Sequence, residues 1–206
     1  EIPERGKYIR TLIAELARIQ SHLLAFGAMV MDIGALTPFL WAIREREKIL
    51  DMYDLVCGAR FTTSYTRIGG VAQDITDEAL RGIRKFIDEF SGYLQECRDL
   101  VERNKIFINR TEGIGYMSKE DIMSYGITGP TLRAAGVESD VRRDNPYLVY
   151  DQLDFRIPTY PDSDCLARYY VRVEEMVEST KIVKQCLDKI PQGPYNAYST
   201  KKVLPK

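Results

Sequence analysis

The chain has 206 residues, 45% hydrophobic and 29% charged, with 29 Lys and Arg against 30 Asp and Glu. That is the composition of a globular protein, long enough for one large domain or two small ones. A formal charge of −1 removes the electrostatic argument for nucleic acid or an anionic membrane surface as partner.

The chain opens Glu1-Ile2-Pro3 and closes Val203-Leu204-Pro205-Lys206. Both ends read as cuts through a longer protein, with neither signal peptide nor initiator methionine. Ile9, Leu12, Ile13, Leu16, Ile19 and Leu23 recur at helical spacing and predict one long helix over 4–33. Pro3 suits its first turn, where the missing N–H is not needed. Gly34 is the expected stop. Thr37 then offers an N-cap hydroxyl with Pro38 at the first helical position, predicting a second helix to about Cys57. It carries Arg44-Glu45-Arg46-Glu47-Lys48, a solvated or salt-bridged face. Leu23 to Ile43 is about as long as a membrane span, but Asp32, Gly34 and Thr37-Pro38 interrupt it, which predicts a soluble chain.

Residues 60–75 break the helical pattern, and Gly69-Gly70 marks a turn. Leu80, Ile83, Ile87, Phe90, Leu94 and Cys97 predict a third helix over about 76–106. Ser118-Lys119-Glu120-Asp121 resembles a capping box and should open a short helix. From Gly126 to Pro161 glycine, proline and charge dominate, with Asp154-Phe155-Arg156-Ile157 a candidate strand. So long an irregular stretch is expected to be functional or packed against something else. Ser163 or Asp164 should cap the last long helix, whose apolar stripe is Leu166, Tyr170, Val173, Val177, Val183 and Leu187. Pro191, Gly193 and Pro194 then lead into a polar tail. The expected organisation is mainly α: a bundle of long helices with a small irregular or β segment, a helical core domain over 1–190 and a loose tail over 191–206.

Four cysteines, at 57, 97, 165 and 186, form no CxxC pair, and there is one histidine. A cysteine- or histidine-rich metal site is therefore not expected, and the thiols read as free in a reducing compartment, with two disulfides the alternative. Asp32 is the only charged residue between Leu23 and Ile43. It must reach water, meet a cation or hold a proton. It reads either as a helix-end residue bonded to local backbone or as a carboxylate poised for proton transfer. Glu15, Arg18 and His22 share one helix face, which points to a structural histidine inside a hydrogen-bond network. In Arg60-Phe61-Thr62-Thr63-Ser64-Tyr65-Thr66-Arg67-Ile68-Gly69-Gly70 two guanidiniums frame a run of hydroxyls. Such a loop could hold a phosphate, a carboxylate or an inorganic cluster, or could simply be solvated; Phe61, Tyr65 and Ile68 predict that it packs. It is neither GxGxxG nor a P-loop.

Several of these runs together resemble one family. They are Ala14-Glu15-Leu16-Ala17-Arg18-Ile19, Ser21-His22-Leu23, Met31-Asp32-Ile33-Gly34-Ala35-Leu36-Thr37-Pro38-Phe39 and Arg44-Glu45-Arg46-Glu47. They continue through Gly58-Ala59-Arg60, Arg67-Ile68-Gly69-Gly70-Val71, Gly126-Ile127-Thr128-Gly129-Pro130 and Arg142-Arg143-Asp144-Asn145-Pro146-Tyr147. The pattern is similar to the 49 kDa subunit of respiratory complex I, the NADH–quinone oxidoreductase, in its bacterial form. The related subunit of F420H2:methanophenazine oxidoreductase has a similar pattern, as does, more distantly, the large subunit of membrane-bound nickel–iron hydrogenases.

The resemblance implies a hydrogenase-like helical core in the hydrophilic arm, peripheral on the cytoplasmic side of the membrane. It implies partners in the terminal iron–sulfur subunit, the other hydrophilic-arm subunits and the membrane arm. The chain itself would bind no cofactor: a 4Fe–4S cluster would sit in the partner, NADH would be used elsewhere, and quinone would be reduced beside the cluster. Asp32 matches the family aspartate that bonds a quinone-site histidine, and Arg60 and Arg67 match positions near the cluster, with His22 on the same inferred site. Many members carry a histidine where this chain has Thr62, so proton-coupled tuning of the cluster by that group is expected to be absent, which would suit a low-potential quinone such as menaquinone.

Overall fold

The computed structural model describes residues 1–198. Helix α1 runs Glu4–Asp32, and its end is built by Gly34 at φ +104. Gly34 N–H bonds Met31 O at 2.8 Å and Ala35 N–H bonds Val30 O at 3.1 Å. This paired closure, through a residue that needs positive φ, is a Schellman motif. Helix α2, Leu36–Cys57, starts from Ala35 with no side-chain cap. Thr37 and Pro38 therefore lie inside the first turn instead of at the N-cap and first position. The correction is small, because the first turn needs no N–H from proline wherever in it the ring falls.

Strands β1 (Thr66–Arg67) and β2 (Gly70–Val71) form an antiparallel hairpin turned at Ile68-Gly69. The β segment is here, and Asp154–Ile157 is not a strand. That segment instead spends its polar groups on the last long helix, through Asp154 N–H to Gln185 Oε1 at 2.9 Å and Arg156 N–H to Glu178 Oε2 at 3.0 Å. Helix α3 covers Asp77–Glu102, with Thr76 as N-cap. It stops four residues before the expected 106, because Asn104 turns its side chain to cap a new helix, α4 (Lys105–Thr111). Ser118 caps α5, Lys119–Ser124. The segment expected to be irregular holds α6 (Gly129–Arg133), α7 (Val141–Asp144) and a 3-10 turn at Tyr150–Gln152. Asp164, not Ser163, caps the last helix, α8, Cys165–Lys189.

The four long helices pack in a ring, α1 on α2, α2 on α3, α3 on α8 and α8 on α1. Ile9, Leu12, Leu16, Ile19 and Leu23 of α1 share one core cluster with Val173, Met176, Ile182 and Val183 of α8, all with 0% exposure. This burial is the main stabilising term, at about 25 cal/mol per Å² of apolar surface. Leu166, Tyr170, Val177 and Leu187, read as core stripe, are only partly buried. α8 is covered on more than one side, so Tyr169, Met176, Ile182 and Cys186 also enter the core.

The described part of the tail, 191–198, is tied back to the hairpin: Gly70 bridges Asn196, and Ala197 N–H bonds Gly69 O at 2.9 Å. Residues 199–206 of the expected tail lie outside the described residues. A Cβ on Gly70, at φ +155, would drive into the Tyr195 carbonyl. Gly70→Ala is thus expected to cost about 1–3 kcal/mol and to speed hydrogen exchange at the Ala197 amide. An unchanged denaturation midpoint with unchanged exchange would refute this.

Candidate functional site

The polar stripe on α1 opens into a buried network. Glu15, 0% exposed, accepts from Arg142 Nη1 on both oxygens at 3.1 Å, from Tyr150 Oη at 2.6 Å and from Ser179 Oγ at 2.6 Å. Arg142 completes a fork to Asp140, with Nε–Oδ1 at 3.0 Å and Nη2–Oδ2 at 2.7 Å. Its guanidinium lies 4.8 Å from the Phe155 ring centre. About two turns along α1, His22 Nε2 lies 2.5 Å from Oε2 of Glu175, and the other oxygen of that carboxylate accepts from Arg133 Nε at 2.6 Å.

The electrostatics follow from these pairings. Burial would raise the Glu175 carboxyl, but the His22 hydrogen bond and charge and then Arg133 hold it below its ordinary value. Burial depresses the His22 imidazole, and Arg18 and Arg172 add to this against the pull of Glu175. The pair is therefore an ionised glutamate and a neutral ring donating its Nε2–H. Burial opposes ionisation of Asp140, yet Arg142 outweighs it and keeps that carboxylate low. His22 is thus a network histidine, as its place on the α1 stripe predicts.

Asp32 occupies a different end of the molecule. It is the last residue of α1 and is exposed. It reaches water, so the first of the three outcomes expected for it holds. Its neighbours Val30 and Ile33 line an apolar cavity of about 470 Å³ with Leu36, Pro38, Leu100 and Phe107. Arg60, Thr62 and Arg67 sit past the far end of α2, whose 22 residues make about 33 Å of helix. The structure does not bring Asp32 together with them, and His22 lies in neither group.

In the 60–70 loop, Arg60 is bound to Glu47 and Asp51, so its fork is already taken. Arg67 donates to Ser64 O and, at 3.2 Å, to Ser64 Oγ. Thr62 is exposed with φ 49, an unusual conformation for a β-branched residue. Only Tyr65 of the three apolar residues packs. Phe61 is 54% exposed, with the Arg46 guanidinium 4.9 Å from its ring centre, and Ile68, in the hairpin turn, is 78% exposed, so these two correct the expectation that all three pack.

All four cysteines are free. Burial pushes the Cys97 thiol up to about 11 and Cys186 up to about 12, which disfavours the thiolate a metal or cluster requires. Among the described residues no three His, Cys, Asp or Glu side chains are grouped to hold a metal ion. Among the described residues, then, no grouping fits an iron–sulfur cluster. No helix among the described residues is long and apolar enough to cross a membrane. Sequence reasoning missed Glu175, Arg133, Asp140, Arg142 and Tyr150. The one available signal was Glu175 and Ser179 at i,i+4, interrupting the apolar pattern of α8.

A model of the family described as the respiratory-chain NADH dehydrogenase 49 Kd subunit matches residues 32–206. The chain is 53% identical over 205 residues to an NADH-quinone oxidoreductase subunit of Chloroherpeton thalassium, covering 100% of this chain and 47% of that protein. It is 49% identical over 195 residues to the subunit of the same type from Rhizobium etli, covering 95% of this chain and 48% of that one. The corresponding subunit of Salinibacter ruber is 46% identical over 205 residues, covering 100% of this chain and 46% of its own length. The chain spans about half the length of the curated relatives it matches. It belongs to the family of the 49 kDa subunit of respiratory-chain NADH dehydrogenase.

Proposed function

We propose that the chain is the helical core of a subunit of NADH:quinone oxidoreductase and that its Asp32 end helps form the quinone headgroup site. On this reading the bundle is the counterpart of the nickel–iron hydrogenase large-subunit core. The hairpin end with Arg60, Thr62 and Arg67 faces the neighbouring iron–sulfur subunit, on the cytoplasmic side of the membrane. The cluster and the NADH site belong to other subunits. The observation that carries the reading is an exposed carboxylate at the end of α1, followed directly by Ile33, Gly34, Ala35 and Leu36, which line a largely apolar cavity that Asp32 itself does not line. A quinone ring needs an apolar slot, and its reduction needs a group that exchanges protons.

Asp32→Asn in the intact complex keeps the shape and removes the titrating group. Quinone reduction is expected to fall by about 10²-fold, the low end for loss of a proton-transfer group. Subunit content, cluster signals by electron paramagnetic resonance and NADH oxidation by ferricyanide should all persist. Undiminished quinone reduction would remove Asp32 from the site.

A further inference from the structure

Ile68 is 78% exposed, the highest value of any large apolar side chain among the described residues. A single exposed isoleucine on an open surface needs no explanation, but this one stands in the two-residue turn between β1 and β2. Turns are built from glycine, proline, asparagine, aspartate and serine, each for a backbone reason that a β-branched side chain does not share. Gly69, at φ +87, meets the turn's need for a positive angle. Ile68 answers no such local need, and a residue that breaks a local rule points to function.

The hairpin that carries it is tied down from outside. Arg10 of α1 donates from Nη2 to Arg67 O at 2.5 Å and from Nε to Gly70 O at 3.0 Å. The returning segment adds Ala197 N–H to Gly69 O at 2.9 Å and Asn196 Nδ2 to Val71 O at 3.0 Å. The ring of Tyr198, itself 47% exposed, lies against the turn, where a Cβ on Gly69 would come within 2.5 Å of it. The backbone is thus fixed while the side chain at its tip stays uncovered. An element held in this way has little conformational entropy left to lose on binding.

The surroundings of Ile68 define its complement. From Gly58 to Ala72 there are two arginines and no Asp or Glu. Arg60 is neutralised by Glu47 and Asp51 of α2. The exposed Arg67 guanidinium bonds Ser64 O and Oγ, so no carboxylate among the described residues answers its charge. A side chain as exposed as Ile68 projects from the surface, so the pocket that would bury it belongs to another molecule. One isoleucine among the exposed hydroxyls of Thr62, Thr63, Ser64 and Thr66 is too small an apolar surface for a bilayer. It has the anatomy of a protein contact, an apolar anchor inside a polar rim.

We propose that Ile68 is such an anchor, inserted into an apolar pocket of the neighbouring iron–sulfur subunit whose rim offers a carboxylate to Arg67. The inference rests on the reading that the hairpin end faces that subunit, and it adds which side chain carries the contact.

The test is made in the intact complex. Ile68→Ser leaves the buried core untouched, because the side chain is exposed. It is expected to speed loss of this subunit from the iron–sulfur subunit of the solubilised complex by about 30-fold, the effect of removing a hot-spot residue. Ile68→Val keeps the branched shape and should recover most of that loss. A diazirine-bearing amino acid at position 68, activated by light, is expected to link to an apolar stretch of the iron–sulfur subunit, identified by mass spectrometry. Unchanged dissociation in Ile68→Ser would overturn the proposal, as would links confined to the same subunit, to lipid or to any other subunit. If the wild-type subunit does not assemble with an iron–sulfur subunit, the functional reading falls with it. An assembled complex in which position 68 neither links nor affects dissociation removes this inference alone.

Discussion

Replacing Arg142 with methionine is expected to remove about 3–5 kcal/mol of stability, a large share of the 5–15 kcal/mol typical of a domain. Arg142 is 1% exposed, and its guanidinium binds both Asp140 and Glu15. Methionine fills much of the same volume against Phe155 and Tyr150, so packing loss is small. What remains is two carboxylates without their shared cation, in a site where water cannot replace it. Tyr150 and Ser179 still donate to Glu15, which sets the lower end of the range. Arg142→Lys keeps the charge but cannot form the fork and should lose less. Urea unfolding of the three proteins measures this. A loss under about 1 kcal/mol in Arg142→Met would mean that water reaches the network and the pairs act as surface ion pairs.

That network also marks where the sequence stopped being informative. The helices were legible because their signals are local: apolar residues three and four apart, Gly34 at a stop and Asp164 at a start. Glu15, Arg18 and His22 were readable as one polar face for the same reason. Their partners were not. Ser179 is 164 residues from Glu15, Arg142 is 127, and Glu175 is 153 from His22. Such pairings exist only once the bundle has closed. The β segment was not legible because Asp154–Ile157 has the alternation of a strand, whereas two-residue strands carry almost no pattern. The hairpin is instead fixed by its turn and by the returning residues 195–197. At the Asp32 end the helix stop was legible, but the cavity beside it was not, since Leu100 and Phe107 arrive from α3 and α4.

Stability of the chain is expected to fall on acidification in two stages, the first beginning near neutrality. His22 is held below its ordinary value of 6.5 by burial, with Arg18 on its own helix and Arg172 on α8 adding to this; Glu175 on α8, itself held by Arg133 of α6, pulls the other way. The folded state therefore stays unprotonated at His22 while the unfolded chain takes up a proton. Stability is lost as pH falls below 6.5, with a slope of at most about 1.4 kcal/mol per pH unit for one proton. Glu175 and Asp140 are depressed from 4.5 and 3.8. Their contribution is complete above those values and is lost as pH falls through the lower folded-state ones, giving the second stage. All three groups thus make the unfolded state the better proton binder, and their effects add instead of cancelling. Denaturant midpoints at about pH 7.5, 6 and 5 would resolve the first stage. His22→Gln keeps an N–H to donate to Glu175 but does not titrate, so it should flatten the first stage and leave the second in place. A wild-type chain that grew more stable between about pH 7.5 and 5 would reverse the sign: His22 would then be an imidazolium in the folded state, held by Glu175 against the cost of its burial.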